Sequence, residues 1–199
     1  MPSVGYAGGL IPITNDGYDP TTRVRVENGS TAFHSGKVFR TFLEIIKPAA
    51  EVWYVDFTTT TAVLLNNITL TLDSGACRYS TLGGVTGYTG TFAANLPIIN
   101  TNAMLVPAAA ASSSVVRYGI APTVGVTQAV PGVERDIIRV RTGGGQGSGS
   151  PSGSMGQNLY RGLAIGIHAI KLGPITGVAD TNAVNGVLEI VWSELPDEY

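Results

Sequence analysis

The sequence predicts an all-β protein, namely an antiparallel β-sandwich of jelly-roll type with an extended N-terminal arm. About seven to nine short segments alternate apolar and polar residues with a period of two, which is typical of half-buried strands. Turn formers separate these segments, because the 199 residues include 26 glycines and 11 prolines. No segment has the 3.6-residue period of an amphipathic helix, and no internal repeat indicates a solenoid or a propeller.

Two regions are expected along the chain. Residues 1–35 are rich in turn formers such as Gly8-Gly9 and Asn15-Asp16-Gly17, and their apolar pieces are too short to bury much surface alone. This part is predicted to be an extended arm, with an edge strand of the main domain as the alternative. Residues 36–199 are predicted to form the sandwich domain, with long loops at about 83–132 and 142–157.

The first strands of the domain have clear alternation. The segment KVFRTFLEII is expected to place Phe39, Thr41, Leu43 and Ile45 on one face and Val38, Arg40, Phe42 and Glu44 on the other. The segment EVWYVDF is expected to place Trp53, Val55 and Phe57 on one face and Val52, Tyr54 and Asp56 on the other. In AVLLNNITLTLDSG, Ile68, Leu70 and Leu72 alternate with threonines. Asp73-Ser74-Gly75 then predicts a turn before the strand ACRYSTL.

The later strands are less regular. A short strand ending near Pro97 is expected in TFAANLPIIN, and PAAAASSSVVRYGI is interpreted as a linker. VERDIIRVRT predicts a strand with Ile138 and Val140 on one side and Ile137, Arg139 and Arg141 on the other. NLYRGLAIGIHAIKL is expected to be one strand with Leu163, Ile165 and Ile167 on one face. GVLEIVWSEL closes the series and places Leu188, Ile190 and Trp192 together.

The low charge content indicates a surface that other protein covers. Charged residues make up only 13% of the chain, about half the usual share, whereas hydrophobic residues make up an ordinary 44%. The chain has nine arginines against three lysines, together with eight tyrosines. Protein interfaces are depleted in lysine and glutamate and enriched in arginine and aromatic residues. We therefore expect a component of an assembly; a general preference of the source for arginine is the alternative.

Several classes of protein are not favoured. The longest apolar run, Ala103–Ala111, is too short to cross a membrane and contains a proline. The N-terminus lacks a basic start and a long apolar run, so a secretory signal is not expected. The net charge of −2 comes without any basic block, which argues against direct nucleic-acid binding. The single cysteine, Cys77, excludes an intrachain disulfide and is expected to be a small buried residue.

The glycine-rich run RTGGGQGSGSPSGSMGQ at 141–157 does not match a phosphate-binding loop. No frame gives G-x-G-x-x-G, and a strand rather than a helix is expected after it. The only Gly-Lys pair, Gly36-Lys37, is followed by Val38 instead of serine or threonine. We interpret the run as an exposed connection, since Gly/Ser-rich segments behave as coils.

No catalytic or metal constellation is predicted, and no cofactor is expected. No serine lies in G-x-S-x-G, and any Ser-His or Cys-His pair would have to use His34 or His168. No ligand spacing supports a zinc site. Asp73 is the most tempting acid for a carboxylate pair but fits a turn better, and Asn15–Asp19 fits a turn better than a calcium loop. Aromatic residues that could form a sugar platform are interpreted as core or interface residues: Trp53, Tyr54, Tyr79 and Tyr88.

Residues 37–82 resemble a pattern found in small structural proteins of tailed bacteriophages. The pattern runs from an RTF-x-E strand, through a second strand, to an L-x-L-DSG strand that this chain continues as ACR, and GTFAANLPIIN and GVLEIVWSE are similar to the same group. The resemblance covers about half of the chain, and its motifs are structural rather than catalytic. It implies a virion component and carries over no site residue.

The function expected from the resemblance is that of a non-enzymatic capsid decoration, or cement, protein. Such a protein forms a homo-oligomer, most simply a trimer, and binds the major capsid protein on the outer surface of the phage head. A tail or adaptor component, or a glycan-binding receptor-recognition module, is the alternative. A small β-fold hydrolase with an unrecognised carboxylate pair is a third hypothesis. No nucleic acid, membrane or small-molecule substrate is expected as a partner.

Overall fold

The computed structural model describes residues 36–101, 111–142, 152–154, 161–175 and 182–194. Its described strands, in chain order, are β1 (Val38–Lys47), β2 (Trp53–Thr59), β3 (Val63–Ser74), β4 (Ala76–Leu82), β5 (Val85–Gly90), β6 (Ala94–Asn95), β7 (Ile98–Asn100), β8 (Ser114–Ile120), β9 (Val124–Gln128), β10 (Glu134–Arg141), β11 (Ser152–Ser154), β12 (Arg161–Leu163), β13 (Gly166–Gly173) and β14 (Val184–Glu194). All of their pairings are antiparallel.

The strands form two six-stranded sheets and a two-stranded ribbon. The front sheet has the order β11-β3-β14-β1-β7, with β12 also paired to β3. The back sheet has the order β10-β4-β13-β2-β8-β6. The ribbon consists of β5 and β9. The prediction of an all-β, antiparallel β-sandwich is therefore confirmed.

The core lies between the inner faces of the two sheets. The front sheet contributes the face of β1 that carries Phe39, Leu43 and Ile45 and the face of β14 that carries Trp192, and the back sheet contributes Trp53, Val55 and Phe57. The ring of Trp192 meets that of Phe57 edge-on across the gap, with 5.1 Å between the centroids. The predicted grouping of side chains on each strand is correct, because alternation with a period of two determines which side chains share a face.

The chain changes sheet at most of its connections. The clearest case is the corner at Asp73-Ser74-Gly75, predicted as an ordinary turn. Here β3 of the front sheet ends and β4 of the back sheet begins with only Gly75 between them. Gly75 has φ of +79°, and a Cβ on it would lie 2.7 Å from the backbone oxygen of Ala183. Glycine is therefore required by both conformation and space.

The prediction of a long loop at about 83–132 is wrong, because this segment contains β5 to β9. Gly84 and Gly90, at φ of +64° and +84°, redirect the chain between strands instead of ending the ordered structure. Strands β8 and β6 extend the back sheet beyond β2, and β7 extends the front sheet beyond β1. The expected linker 107–120 thus ends in strand β8. The expected strand near Pro97 is two short strands, one in each sheet.

The prediction of a single strand over NLYRGLAIGIHAIKL is also wrong. The described part contains β12, paired with β3, and β13, paired with β2 and β4. The chain leaves the front sheet at Ala164 and Ile165, and Ile165 is 66% exposed instead of sharing a buried face. Gly166, with φ of +141°, begins the second strand. Apolar alternation continued through this crossing, so it concealed the change of sheet.

Other expectations fall partly or wholly outside the described residues. The arm 1–35 lies outside them, as does His34. Within the loop expected at about 142–157, residues 152–154 form β11 and Thr142 donates its backbone N–H to the Gly75 carbonyl. Within the part of the chain that the structure describes, no helix has the length and apolar character needed to cross a membrane.

We predict that Gly75→Ala lowers the free energy of unfolding more than Gly132→Ala does. Gly132 has nearly the same φ, +80°, but nothing lies within 4 Å of a Cβ there. The control substitution should cost about 1 kcal/mol for the backbone conformation alone. Gly75→Ala adds overpacking at the corner and should cost about 2–4 kcal/mol. Urea unfolding measures both values, and equal losses would contradict close packing at this corner.

Candidate functional site

A buried polar cluster joins the back sheet to the ribbon. Asp56 points away from the core, yet its side chain is completely buried. Its Oδ2 accepts hydrogen bonds from Nε and Nη2 of Arg117 on the neighbouring strand, at 2.8 and 2.5 Å. Its Oδ1 accepts one from Thr58 Oγ1 at 2.7 Å. A carboxylate with a charged partner and three donated hydrogen bonds is well compensated for its loss of water.

The ribbon supplies the cover over this cluster. The Tyr88 hydroxyl of β5 donates to the His168 carbonyl at 3.4 Å. Burial, and then the charge of Asp56 and a hydrogen bond to it, raise the pKa of Tyr88, while Arg117 acts in the opposite direction. The Arg117 guanidinium also lies over the ring of Phe92, 4.2 Å from its centroid. These contacts make Asp56 a structural anchor for the insert between β4 and β10.

Close packing fixes the ribbon at a second point. Val124 at the start of β9 is 1% exposed. A Cβ on Gly119 of β8 would lie only 2.3 Å from a methyl carbon of Val124. The ribbon therefore forms a third layer on the outer side of the back sheet, over β2, β8 and β13.

A cavity of about 250 Å³ lies between the two sheets near the start of β13. Apolar side chains from both sheets line most of it, including Phe57, Leu65 and Ile190, and Arg135, Thr81 and His168 contribute polar groups. His168 is the only histidine within the described residues, and its Nε2 donates to the Ala164 carbonyl at 2.8 Å. That bond ties the ring to the connection between β12 and β13.

Cys77, near the start of β4, and Lys47, at the end of β1, are both buried. Cys77 is fully buried, as expected, and burial raises the pKa of its thiol to about 11. A thiol with such a pKa is a poor nucleophile at neutral pH. Lys47 is 1% exposed, and its Nζ donates to the carbonyl oxygen of Glu51 at 2.9 Å. Burial lowers the pKa of Lys47, while the nearby Cys77 and Glu51 oppose that shift.

The other candidate residues are not brought together. Trp53 and Tyr79 are buried in the core, and Trp53 stacks on Tyr118 at 5.3 Å between centroids. Tyr88 is held by the Asp56 cluster, so these aromatic residues do not form one exposed platform. Asp73 is exposed near the end of β3. Among the described residues, no three His, Cys, Asp or Glu side chains are grouped closely enough to hold a metal ion.

The outer side of the front sheet carries an apolar surface. We call it the front face; it comprises the outward side chains of β1, β7 and β14: Arg40, Phe42, Glu44, Ile46, Ile99, Val187, Glu189 and Val191. Ile46 is 65% exposed, Ile99 41% and Val187 39%. An antiparallel sheet that faces water normally presents polar residues there. Exposed apolar clusters of this kind mark sites of contact with other molecules.

The back sheet presents a different surface beyond the ribbon. We call it the arginine strip; it comprises Arg78, Ile137, Arg139, Arg141 and Lys171, on β10, β4 and β13. Glu134 pairs with Arg78 and, at 3.0 Å, with Lys171. Arg139 lies directly opposite Arg78 in the sheet, and Arg139 and Arg141 have no ion-pair partner among the described residues. Like charges placed directly opposite each other destabilise a strand pair.

Comparison with known proteins does not assign the chain to a family. No protein-family model matches it, and no curated protein or solved structure matches it either.

Sequence reasoning missed the Asp56–Arg117 pair and the two outer surfaces. Alternation correctly placed Asp56 on the face of β2 opposite to Trp53, Val55 and Phe57, but nothing local indicated that a ribbon would cover it. Arg117 lies in a segment interpreted as a linker, so its pairing with β2 was not expected. The outward positions of Phe42, Ile137 and Arg139 were visible in the sequence. Their assembly into surfaces required the strand order.

We predict that Arg117→Ala destabilises the protein more than Asp56→Asn does. The first change leaves a buried carboxylate without its cation and should cost about 3–5 kcal/mol. The second leaves a guanidinium that is 35% exposed and can be hydrated, so the loss should be about 1–3 kcal/mol. Chemical unfolding at pH 7 measures both. The reverse order would show that the carboxylate is hydrated or otherwise compensated.

We predict that Lys47→Met raises the free energy of unfolding at pH 7 by about 1 kcal/mol, because an apolar chain of similar length replaces a buried ammonium. The lowered pKa also has a linkage effect. Between the folded-state pKa and 10.5, the unfolded chain binds a proton that the folded chain does not, so this residue makes stability increase with pH. Unfolding measured from pH 7 to 10 should show a smaller increase in the variant; an unchanged slope would exclude Lys47 as its source.

Proposed function

We propose that this chain is a non-enzymatic structural protein of a tailed-phage virion. It forms a homo-oligomer, most simply a trimer, and binds across neighbouring subunits of the major capsid protein on the outer surface of the head. Burial of surface across these subunits helps the shell to resist the pressure of packaged DNA. The observation that carries the proposal is the front face, an apolar sheet surface that no described part of the chain covers.

The order of the strand pairs supports this class of protein. Apart from the insert β5–β9, the chain pairs its strands from the outside inwards: β1 with β14, β2 with β13, β3 with β11 and β12, and β4 with β10. We infer a jelly roll from this nested order, since that fold is a long antiparallel hairpin of strand pairs rolled into two sheets. Jelly rolls occur in viral capsid proteins and also in lectins and cupins, so the fold supports the class without fixing the function.

The outer sides of the two sheets are covered to different extents, and this difference supports a binding role for the front face. The ribbon covers part of the outer back sheet and fixes it through Asp56 and Val124. On the front face, Phe42 lies opposite Glu189, and Val187 lies opposite Glu44. The apolar residues are thus interspersed with a few charges, a composition found in protein interfaces rather than in cores. A stable contact requires about 1,000 Å² or more of buried surface.

The segments that resemble phage structural proteins are parts of this framework. The RTF-x-E segment lies in β1, which pairs with β14 along its length. The LTLDSGACR segment spans the corner between β3 and β4, where Gly75 allows the change of sheet. These motifs therefore account for the sandwich and its front face, and they contain no reactive group that requires another explanation.

We predict that Val187→Glu weakens binding to the phage head and that Val115→Glu does not. Both valines are similarly exposed, at 39% and 45%, but Val115 lies on β8 of the back sheet. Wild-type protein added to decoration-free heads should co-sediment with them and raise their melting temperature. The front-face variant should bind at least about tenfold more weakly, the loss expected when a charge is placed in an apolar contact.

Three results would distinguish the alternatives. Retention on isolated tails instead of heads would support a tail or adaptor component. Binding to cell-surface polysaccharide would support receptor recognition. Equal binding of both glutamate variants to heads would show that the front face does not contact the head. An image of the intact particle that places the chain elsewhere would overturn the proposal as a whole.

A further inference from the structure

We propose that the cavity between the two sheets binds a medium-chain fatty acid, with the hydrocarbon chain inside the sandwich and the carboxylate at Arg135. The ligand is held without reaction, and the site is additional to the proposed contact with the head. The inference depends on an apolar cavity that opens at one edge of the sandwich, beside an arginine that has no ion-pair partner among the described residues.

The inner part of the cavity is apolar and large. Phe57 and Ile170 of the back sheet and Ile68 and Ile190 of the front sheet line it, and each of them is 5% exposed or less. Protein interiors contain few voids larger than a water molecule, whereas this cavity has a volume of about 250 Å³. An apolar cavity of about 150 Å³ is enough to bind benzene. This cavity therefore has room for a longer hydrocarbon group, which would supply the contacts that its lining lacks.

The cavity opens at the edge of the sandwich where β10 and β12 lie. Three of its lining residues are exposed: Arg135 on β10, Gly162 on β12, and Ala164 directly after β12. The two strands are on the same side of the sandwich, because β10 also approaches β3, the strand that pairs with β12. A Cβ on Gly162 would meet nothing within 4 Å, so the described residues leave room there.

This opening is separate from the front face. The front face is the outer side of β1, β7 and β14, whereas the cavity lies between the sheets and opens past the edge of β12. An occupied cavity therefore leaves the front face free for the proposed contact with the head.

Arg135 gives the mouth of the cavity a cation. Its side chain lies against Gly83, where a Cβ would come within 2.7 Å of the arginine Nε, and it forms no ion pair with another described residue. The other polar groups of the lining are already bonded: the His168 ring to a backbone carbonyl, and the Thr81 hydroxyl to Asp136. A guanidinium presents N–H donors in a geometry that matches a carboxylate. The ligand that fits both parts of the site is an apolar chain that ends in a carboxylate.

The test is isothermal titration calorimetry of the full chain with octanoate and with 1-octanol, which has the same chain length but no charge. Octanoate should bind with a dissociation constant on the order of 0.1 mM. Arg135→Gln should weaken octanoate binding by about tenfold, because a charge-assisted hydrogen bond is lost, and should leave 1-octanol binding within about twofold. Arg139→Gln is the matched control, because Arg139 is exposed on the same strand but does not line the cavity. It should change neither affinity.

A second variant tests the cavity itself. Leu163 is half-buried in the lining, so Leu163→Trp should fill the space and abolish binding of both ligands without lowering the melting temperature. Leu65→Trp replaces it if that variant does not fold. The site is overturned if millimolar octanoate does not bind, if binding survives the tryptophan variant, or if both glutamine variants weaken it equally. Head binding is measured separately, so a failed ligand test leaves the proposed function standing, and a chain that binds octanoate but not heads leaves the cavity site standing.

Discussion

The pairing of β14 with both β1 and β3 is the constraint on which the structure depends. Along its length β14 lies between these two strands, and its inward residues Leu188, Ile190 and Trp192 fill the centre of the core. The register also fixes the outer surface, because alternate residues of the same strands form the front face. The same backbone hydrogen bonds therefore determine which side chains are buried in the core and which form the front face.

The backbones of β3 and β14 are closely packed at their register shift, so the pairing of these strands is tightly constrained. A Cβ on Gly186 would lie 2.1 Å from the carbonyl oxygen of Thr71. The ladder is irregular between Asn185 and Gly186, which lets the two backbones approach closely. The front face consequently has a fixed shape, and its apolar residues cannot turn inward without breaking the ladder.

The sequence was sufficient for the fold class and for the inner faces of the main strands, because burial on one side imposes a period of two. It was not sufficient where a residue's environment came from a distant segment. Asp56 is buried only because the ribbon covers it, and Ile165 is exposed only because the chain crosses between sheets there. The long loop was expected from about residue 83, where Gly83 and Gly84 stand together, although a positive φ such as that of Gly84 also serves turns between strands. The candidate surfaces could be named only after Ile99, Val187 and Phe42 were placed on neighbouring strands.

The central position of β14 has a consequence for biosynthesis. The ribosome makes β1 and β3 long before the strand that must lie between them, so neither can complete its sheet until translation has passed residue 194. Until then their apolar faces and unpaired edges are accessible to other nascent chains. Such distant pairings fold slowly, on the order of milliseconds to seconds. Production of this protein should therefore depend on chaperone capacity more strongly than its small size suggests.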